Sequence, residues 1–127
     1  MSHFTHIKTR FQNLFYLEKA LSRLNIVHKQ EEAKTSNSTS FHMNLVIPQS
    51  NGYDISFCWN GQEYDLVADI SFWEQPYPTK DFIDRVAQQY AGEVVIGESQ
   101  KIGFQPVKYE DNSDGSKTIV LERWSEN

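Results

Sequence analysis

The stretch from Tyr53 to Ile70 constrains this chain most. Two runs of alternating apolar and polar residues flank Asn60-Gly61 there. Alternation puts every second side chain on one face of a strand. Asn-Gly suits a tight hairpin turn because both residues tolerate positive φ. A two-residue turn pairs Trp59 with Gln62, Phe57 with Tyr64, Ile55 with Leu66 and Tyr53 with Ala68, all on one face. The other face collects Cys58 with Glu63, Ser56 with Asp65 and Asp54 with Val67. Turn and pattern agree on which face goes inward, as a specified register requires. An isolated ribbon of this kind is marginal in water, so other segments must extend or cover it.

The flanking segments supply both. Residues 3–11 alternate, with Thr5, Ile7, Thr9 and Phe11 on one face, and read as a half-exposed strand. Asn13 can cap a helix whose Leu14, Leu17, Leu21 and Leu24 form one apolar stripe, with Asn25 suited to the left-handed residue that ends it. Ile26–Gln30 and Phe41–Ile47 read as strands, separated by a polar loop over residues 30–40. Asn37-Ser38-Thr39 in that loop matches the glycosylation sequon by accident, since no secretory signal precedes it. Phe72–Pro78 is an aromatic and proline connector. Thr79 caps a second helix with Phe82, Ile83, Val86 and Tyr90 inward and Gly92 at its end. Val94–Ile102 fits either strand or helix: the β-branched run favours one, Gly103 as a stop the other. Gln105–Tyr109 and Lys117–Trp124 form a second hairpin, whose faces match only through an odd or bulged loop. The order of elements describes an α+β two-layer sandwich, a mainly antiparallel sheet with two helices on one face. At 127 residues it fits a single domain, 1–127.

Composition narrows the function classes. The single cysteine, Cys58, excludes an internal disulfide and any multi-cysteine metal site. The net charge is −5 and no Lys/Arg run occurs, which argues against a phosphate-neutralising surface. An RNA-binding module would need Lys8, Arg10, Arg23 or Lys108 gathered on one face. No stretch approaches the ~18 apolar residues of a membrane span. The first ten residues lack the apolar core of a secretory signal and the Ser/Arg richness of a transit peptide.

Chemistry-bearing residues are scattered. His3 and His6 point to opposite faces of a strand, and His28 and His42 lie on neighbouring ones. No metal site or cofactor is expected. Cys58 stands opposite Glu63 with no cation nearby in sequence, the setting of an inert thiol. Asp54, Glu63, Asp65 and Asp69 read as a solvated sheet face. A small enzyme or metal-dependent module would need these carboxylates to converge with Cys58 and a histidine in one pocket. Glu110-x-Asn112-x-Asp114-Gly115 looks like half of a calcium loop, but position twelve falls on Leu121 where a bidentate Glu is required. It reads as turn chemistry. Of the three tryptophans, Trp59 suits a core. Trp73 in the connector, with Tyr77, is the candidate binding surface for a protein partner.

Several blocks together carry a family resemblance. They are Met1-Ser-His-Phe-x-x-Ile-Lys-Thr, Leu17–Leu21, Tyr53-Asp-Ile-x-Phe-x-Trp-Asn-Gly-x-Glu-Tyr64, Ala68-Asp-x-x-Phe-Trp73, Gly103-Phe104, Asp114-Gly115-Ser116 and Leu121-x-Arg123-Trp124. The chain resembles the hypothetical chloroplast reading frame thirty-five family of cyanobacteria and algal plastids over essentially its whole length. That resemblance implies a plastid stroma or a cyanobacterial cytoplasm, and it brings no catalytic residues. The expectation is a non-catalytic accessory factor that binds an unidentified protein partner through its aromatic surface.

Overall fold

The structure, a computed structural model, describes residues 4–32 and 43–123. Alternation at the start of the chain forms β1 (Thr5–Phe11), with Ile7 and Phe11 against the core and His6 and Lys8 on the outer face. A bulge breaks the strand between Lys8 and Phe11, where Arg10 takes φ 66°. The Thr9 hydroxyl holds the bulge, donating to the Tyr64 carbonyl and accepting the Phe11 N–H. Asn13 caps α1 (Leu14–Arg23), its Oδ1 accepting the Tyr16 N–H at 3.1 Å. Leu17 and Leu21 are fully buried, while Leu14 and Leu24 pack at the margin of the core. The helix ends as expected at Asn25, φ 59°. The Asn25 N–H donates to Ser22 O and the Ile26 N–H to Leu21 O, the paired bonds of a Schellman motif.

The chain then enters a meander of β2 (Lys29–Glu32), β3 (Met43–Ile47), β4 (Ile55–Trp59) and β5 (Tyr64–Ala68). The sheet order is β1-β5-β4-β3-β2 and every neighbouring pair is antiparallel. The α1 helix therefore carries the chain from one edge of the sheet to the other, and the meander returns to β1. One row across the inner face reads Leu45, Phe57, Leu66 and Ile7. Strand β2 starts at Lys29, later than expected, because Ile26 is still part of the helix exit. The loop expected over residues 30–40 lies outside the described residues from 33 onward, as do Phe41, His42, His3 and Trp124.

The central hairpin forms with a register two residues away from the expected one: Trp59 faces Tyr64 and Phe57 faces Leu66. The Asn60 side chain is the cause. Its Oδ1 accepts the N–H groups of Gln62 (2.8 Å) and Glu63 (2.9 Å), and the Asn60 N–H donates to Glu63 O (2.9 Å). The turn thereby spans Asn60–Glu63, with Gly61 at φ 105°. An even shift keeps every residue on its face. Ile55, Phe57, Tyr64, Leu66 and Ala68 are buried as expected.

The second helix, α2 (Thr79–Lys101), departs further from the expectation. Pro78 takes the cap position and Thr79 is the first helical residue. Gly92 does not end the helix, and the ambiguous stretch from Val94 continues it to Lys101. The two glycines serve packing instead. Ile119 seats against Gly92, and the Tyr16 ring lies flush on Gly97, where a Cβ would come within 2.6 Å of the Tyr16 Cζ. Both helices cover the same face of the sheet, giving the expected two-layer α+β arrangement. The last two strands, β6 (Phe104–Asp111) and β7 (Lys117–Arg123), form a separate ribbon leaning on α2. Tyr109 faces Ile119 there, through the bulge at Val107 and the odd loop of residues 112–116 that the side-chain faces demanded.

The two helical glycines should respond oppositely to the same change. Gly97→Ala forces a methyl into the Tyr16 ring and should destabilise the protein by about 1–3 kcal/mol. Gly92→Ala meets only an ordinary contact at 3.6 Å, and should gain up to about 1 kcal/mol of helix propensity. Urea unfolding of the two variants beside the parent chain measures both. Equal effects would contradict the packing described.

Candidate functional site

The connector between β5 and α2 is built from short hydrogen bonds to a single buried amide. Asp69 is buried and caps a 3₁₀ turn, Ile70–Phe72, through the Ser71 N–H at 3.1 Å. Gln49, 9% exposed, reaches across from the β3–β4 turn. Its Nε2 donates to the carbonyls of Tyr53 (2.5 Å) and Phe72 (3.1 Å), and its Oε1 accepts from the Glu74 N–H (2.8 Å) and Gln75 Nε2 (3.1 Å). Its own N–H donates to Asp54 Oδ1 at 3.0 Å. The Asn51 amide also donates to Phe72 O, at 2.9 Å. One amide thus satisfies backbone groups of two loops at once, which an apolar side chain could not do. Tyr53 and Phe72, each 40% exposed, stack at 3.8 Å on the solvent side of this junction.

Beyond Glu74 the connector folds back on itself. The Trp73 indole N–H donates to the Tyr77 carbonyl at 2.7 Å, and its ring meets Phe82 edge-on at 5.2 Å. Trp73 is therefore half-buried and braces the loop, while Tyr77 is 38% exposed. The Arg85 guanidinium lies 3.8 Å from the Tyr77 ring centre. Between these groups and the α1 exit runs a groove of about 370 Å³. Its walls are Leu24–Val27, Ile47 with Pro48, Gln75–Tyr77, and Phe82 with Arg85. The lining is mostly apolar, with Asn25 and Gln75 as its uncharged polar members, and among the described residues Arg85 is the one charged side chain in it. The volume falls at the lower end of the roughly 300–1,000 Å³ typical of ligand pockets.

The other candidate residues do not meet in one place. Cys58 sits on the outer face of the sheet, opposite Asp65. Burial, then the charges of Asp65 and Glu31, push its thiol pKa up. His6 lies on β1, opposite Val67. His28 is bonded to Ile26 O at 2.9 Å beside α1. Asp54 and Asp69 are engaged with loop backbone, and Glu63 closes the hairpin turn. Among the described residues no three His, Cys, Asp or Glu side chains are grouped to hold a metal. The calcium-like stretch is turn chemistry, as expected: Asp114 Oδ1 accepts from the Ser116 N–H and hydroxyl, which also lowers the Asp114 pKa. Of the four cations named for a nucleic-acid face, Arg23 pairs with Glu93 and Lys108 with Glu110, while Lys8 stands opposite Asp65. Sequence reasoning found Tyr77 but missed Arg85, which meets Tyr77 only when the connector folds back on α2, and Gln49, whose partners include Phe72, Glu74 and Gln75.

Sheet, helices and groove define a two-layer α+β protein with a mostly apolar recess open to solvent that, among the described residues, one cation lines. The family described as "Protein of unknown function (DUF1257)" matches residues 20–120, and the chain belongs to that family. A protein of Trieres chinensis bearing the name "Uncharacterized protein ycf35" is 64% identical over 124 residues, covering 95% of this chain and 97% of its own. Proteins of the same name from Guillardia theta and Pyropia yezoensis are 39% and 35% identical, each covering 98% of this chain and 98% or 99% of their own. The resemblance to the chloroplast reading frame family is thereby borne out. These relatives are encoded in algal plastid genomes, which implies a plastid location. No solved structure matches the chain. Among the described residues, no helix is long and apolar enough to cross a membrane.

Two outcomes test the local chemistry. Gln49→Ala removes the side-chain partner of the Tyr53 carbonyl and the Glu74 N–H and should cost about 1–3 kcal/mol in urea unfolding; a neutral variant would show the amide to be dispensable. A raised thiol pKa lowers the thiolate fraction at any given pH. Iodoacetamide should therefore modify Cys58 several-fold more slowly at pH 8 than a free cysteine peptide. The midpoint of its rate against pH should lie above the peptide's, and Asp65→Asn should lower it. A midpoint that coincides with the peptide's would remove the electrostatic account.

Proposed function

We propose that this protein is a non-catalytic accessory factor of the plastid stroma, or of a cyanobacterial cytoplasm, that docks a partner polypeptide along the connector at residues 69–78. The observation that carries this reading is the groove beside Tyr77: a solvent-open recess with an apolar floor, rimmed by an aromatic ring and a guanidinium. Aromatic and arginine side chains of this kind supply most of the energy at protein interfaces. Trp73 serves the surface indirectly, by holding the Tyr77 backbone in place. The exposed Tyr53–Phe72 stack continues the apolar surface along the same connector. The reading that joins Cys58, a histidine and the hairpin carboxylates into a reactive centre has less support, since these groups stand on different elements.

Affinity capture of the tagged protein from its native host, at native expression, tests the proposal. A stoichiometric partner should be retained by the parent chain and by Lys108→Ala on the distant ribbon. Tyr77→Ala should lose it while keeping the parent's unfolding midpoint. A partner that survives Tyr77→Ala undiminished would place the interface elsewhere.

A further inference from the structure

Resting on the docking reading above, the geometry points to the chemistry of the occupant. We infer that the groove takes a large apolar side chain of an extended partner segment, and that Arg85 clamps a carboxylate next to that side chain. Arg85 lines the groove yet makes no ion pair among the described residues. Its contact instead is the Tyr77 ring, at 3.8 Å. Stacking on an aromatic face fixes the plane of a guanidinium and leaves its N–H edge free for a bidentate acceptor.

The helix that carries Arg85 adds to the same polarity. Pro78 at the cap offers no side-chain acceptor, and the first helical bond runs from the Phe82 N–H to Pro78 O at 2.9 Å. The amides of residues 79–81 thus lack helical partners and present the positive end of the dipole near the connector. Asp81 in the first turn offsets part of that potential. Most of the remaining lining is apolar, with Leu24, Ile26, Ile47 and Phe82 among it. An occupant must therefore combine an apolar body with an adjacent negative charge. The exposed Tyr53 and Phe72 rings prolong the surface past the groove, which fits a peptide lying along the connector better than a ligand enclosed within it.

The test is a selection of random heptapeptides displayed on phage against the full-length purified protein, followed by fluorescence anisotropy on the selected sequences. Enrichment of Leu, Phe, Met or Trp beside Asp or Glu is the expected result. Arg85→Ala should weaken those peptides roughly tenfold or more, Arg85→Lys should recover only part of the loss, and replacing the peptide's acid by its amide should mimic Arg85→Ala. The unfolding midpoint of each variant confirms that the fold is intact. Failure to enrich acidic sequences, or indifference of binding to Arg85→Ala, overturns the inference. Acid-free apolar peptides that bind and are lost in Tyr77→Ala would overturn the clamp alone and leave the docking surface standing. Peptides and captured partner both indifferent to Tyr77→Ala would overturn the two together.

Discussion

The rest of the structure depends on how closely α1 can lie against α2, and the Tyr16 ring on Gly97 sets that distance. Any side chain at 97 would push the helices apart. The same two helices are tied at other points. The Tyr90 hydroxyl accepts the N–H groups of Gln12 (3.1 Å) and Asn13 (3.0 Å), fixing the entry to α1. Arg23 donates to the buried Glu93 at 2.9 Å, fixing its exit. A buried carboxylate without that guanidinium would be strongly destabilising. Held at its entry, first turn and exit, α1 spans the sheet in one fixed orientation. Its exit turn, Leu24–Val27, thereby arrives as one wall of the groove.

The opposite wall is a loop, and loops of ten residues are seldom rigid unless tied down. Gln49 and Trp73 provide the ties. The first joins two loops by hydrogen bonds to the backbone, and the second closes the connector onto its own carbonyl while its ring leans on Phe82. Because Phe82 belongs to α2, the loop is referenced to the helix that Tyr16 and Tyr90 have already positioned. The recess is thus pre-formed rather than assembled on contact. Pre-formed surfaces lose less conformational entropy on binding.

What could be read from the sequence follows from this division. The sheet was legible because one face is covered, so burial alternates with period two and even a register shifted by two leaves each residue on its side. Asn13 and Asn25 were legible because capping chemistry is local. The turn length was not, since the Asn60 side chain competes with the Asn-Gly backbone for the hairpin. The second half of α2 was not legible either. It is buried on two sides, against α1 through Glu93 and Gly97 and against the ribbon through Gly92 and Ile96, which blurs a single helical stripe. Three β-branched residues and two glycines then argue locally against a helix that tertiary packing enforces. The site divides the same way. Tyr77 announces itself as an aromatic among prolines, whereas Arg85 and Gln49 matter only through neighbours that folding brings to them.

The balance of forces in the groove also assigns different work to its parts. The chain carries a net charge of −5, so at long range its field disfavours an acidic segment. Attraction to the exposed Arg85 acts only once the segment has arrived within contact distance, where the guanidinium is held over the Tyr77 ring. Affinity must then come mainly from apolar burial against Ile26, Ile47 and Phe82, and selectivity from the single charge. A groove with several cations would bind acidic segments broadly and with strong salt dependence. One stacked arginine beside a mostly apolar lining instead accepts a carboxylate only where an apolar side chain has already placed it.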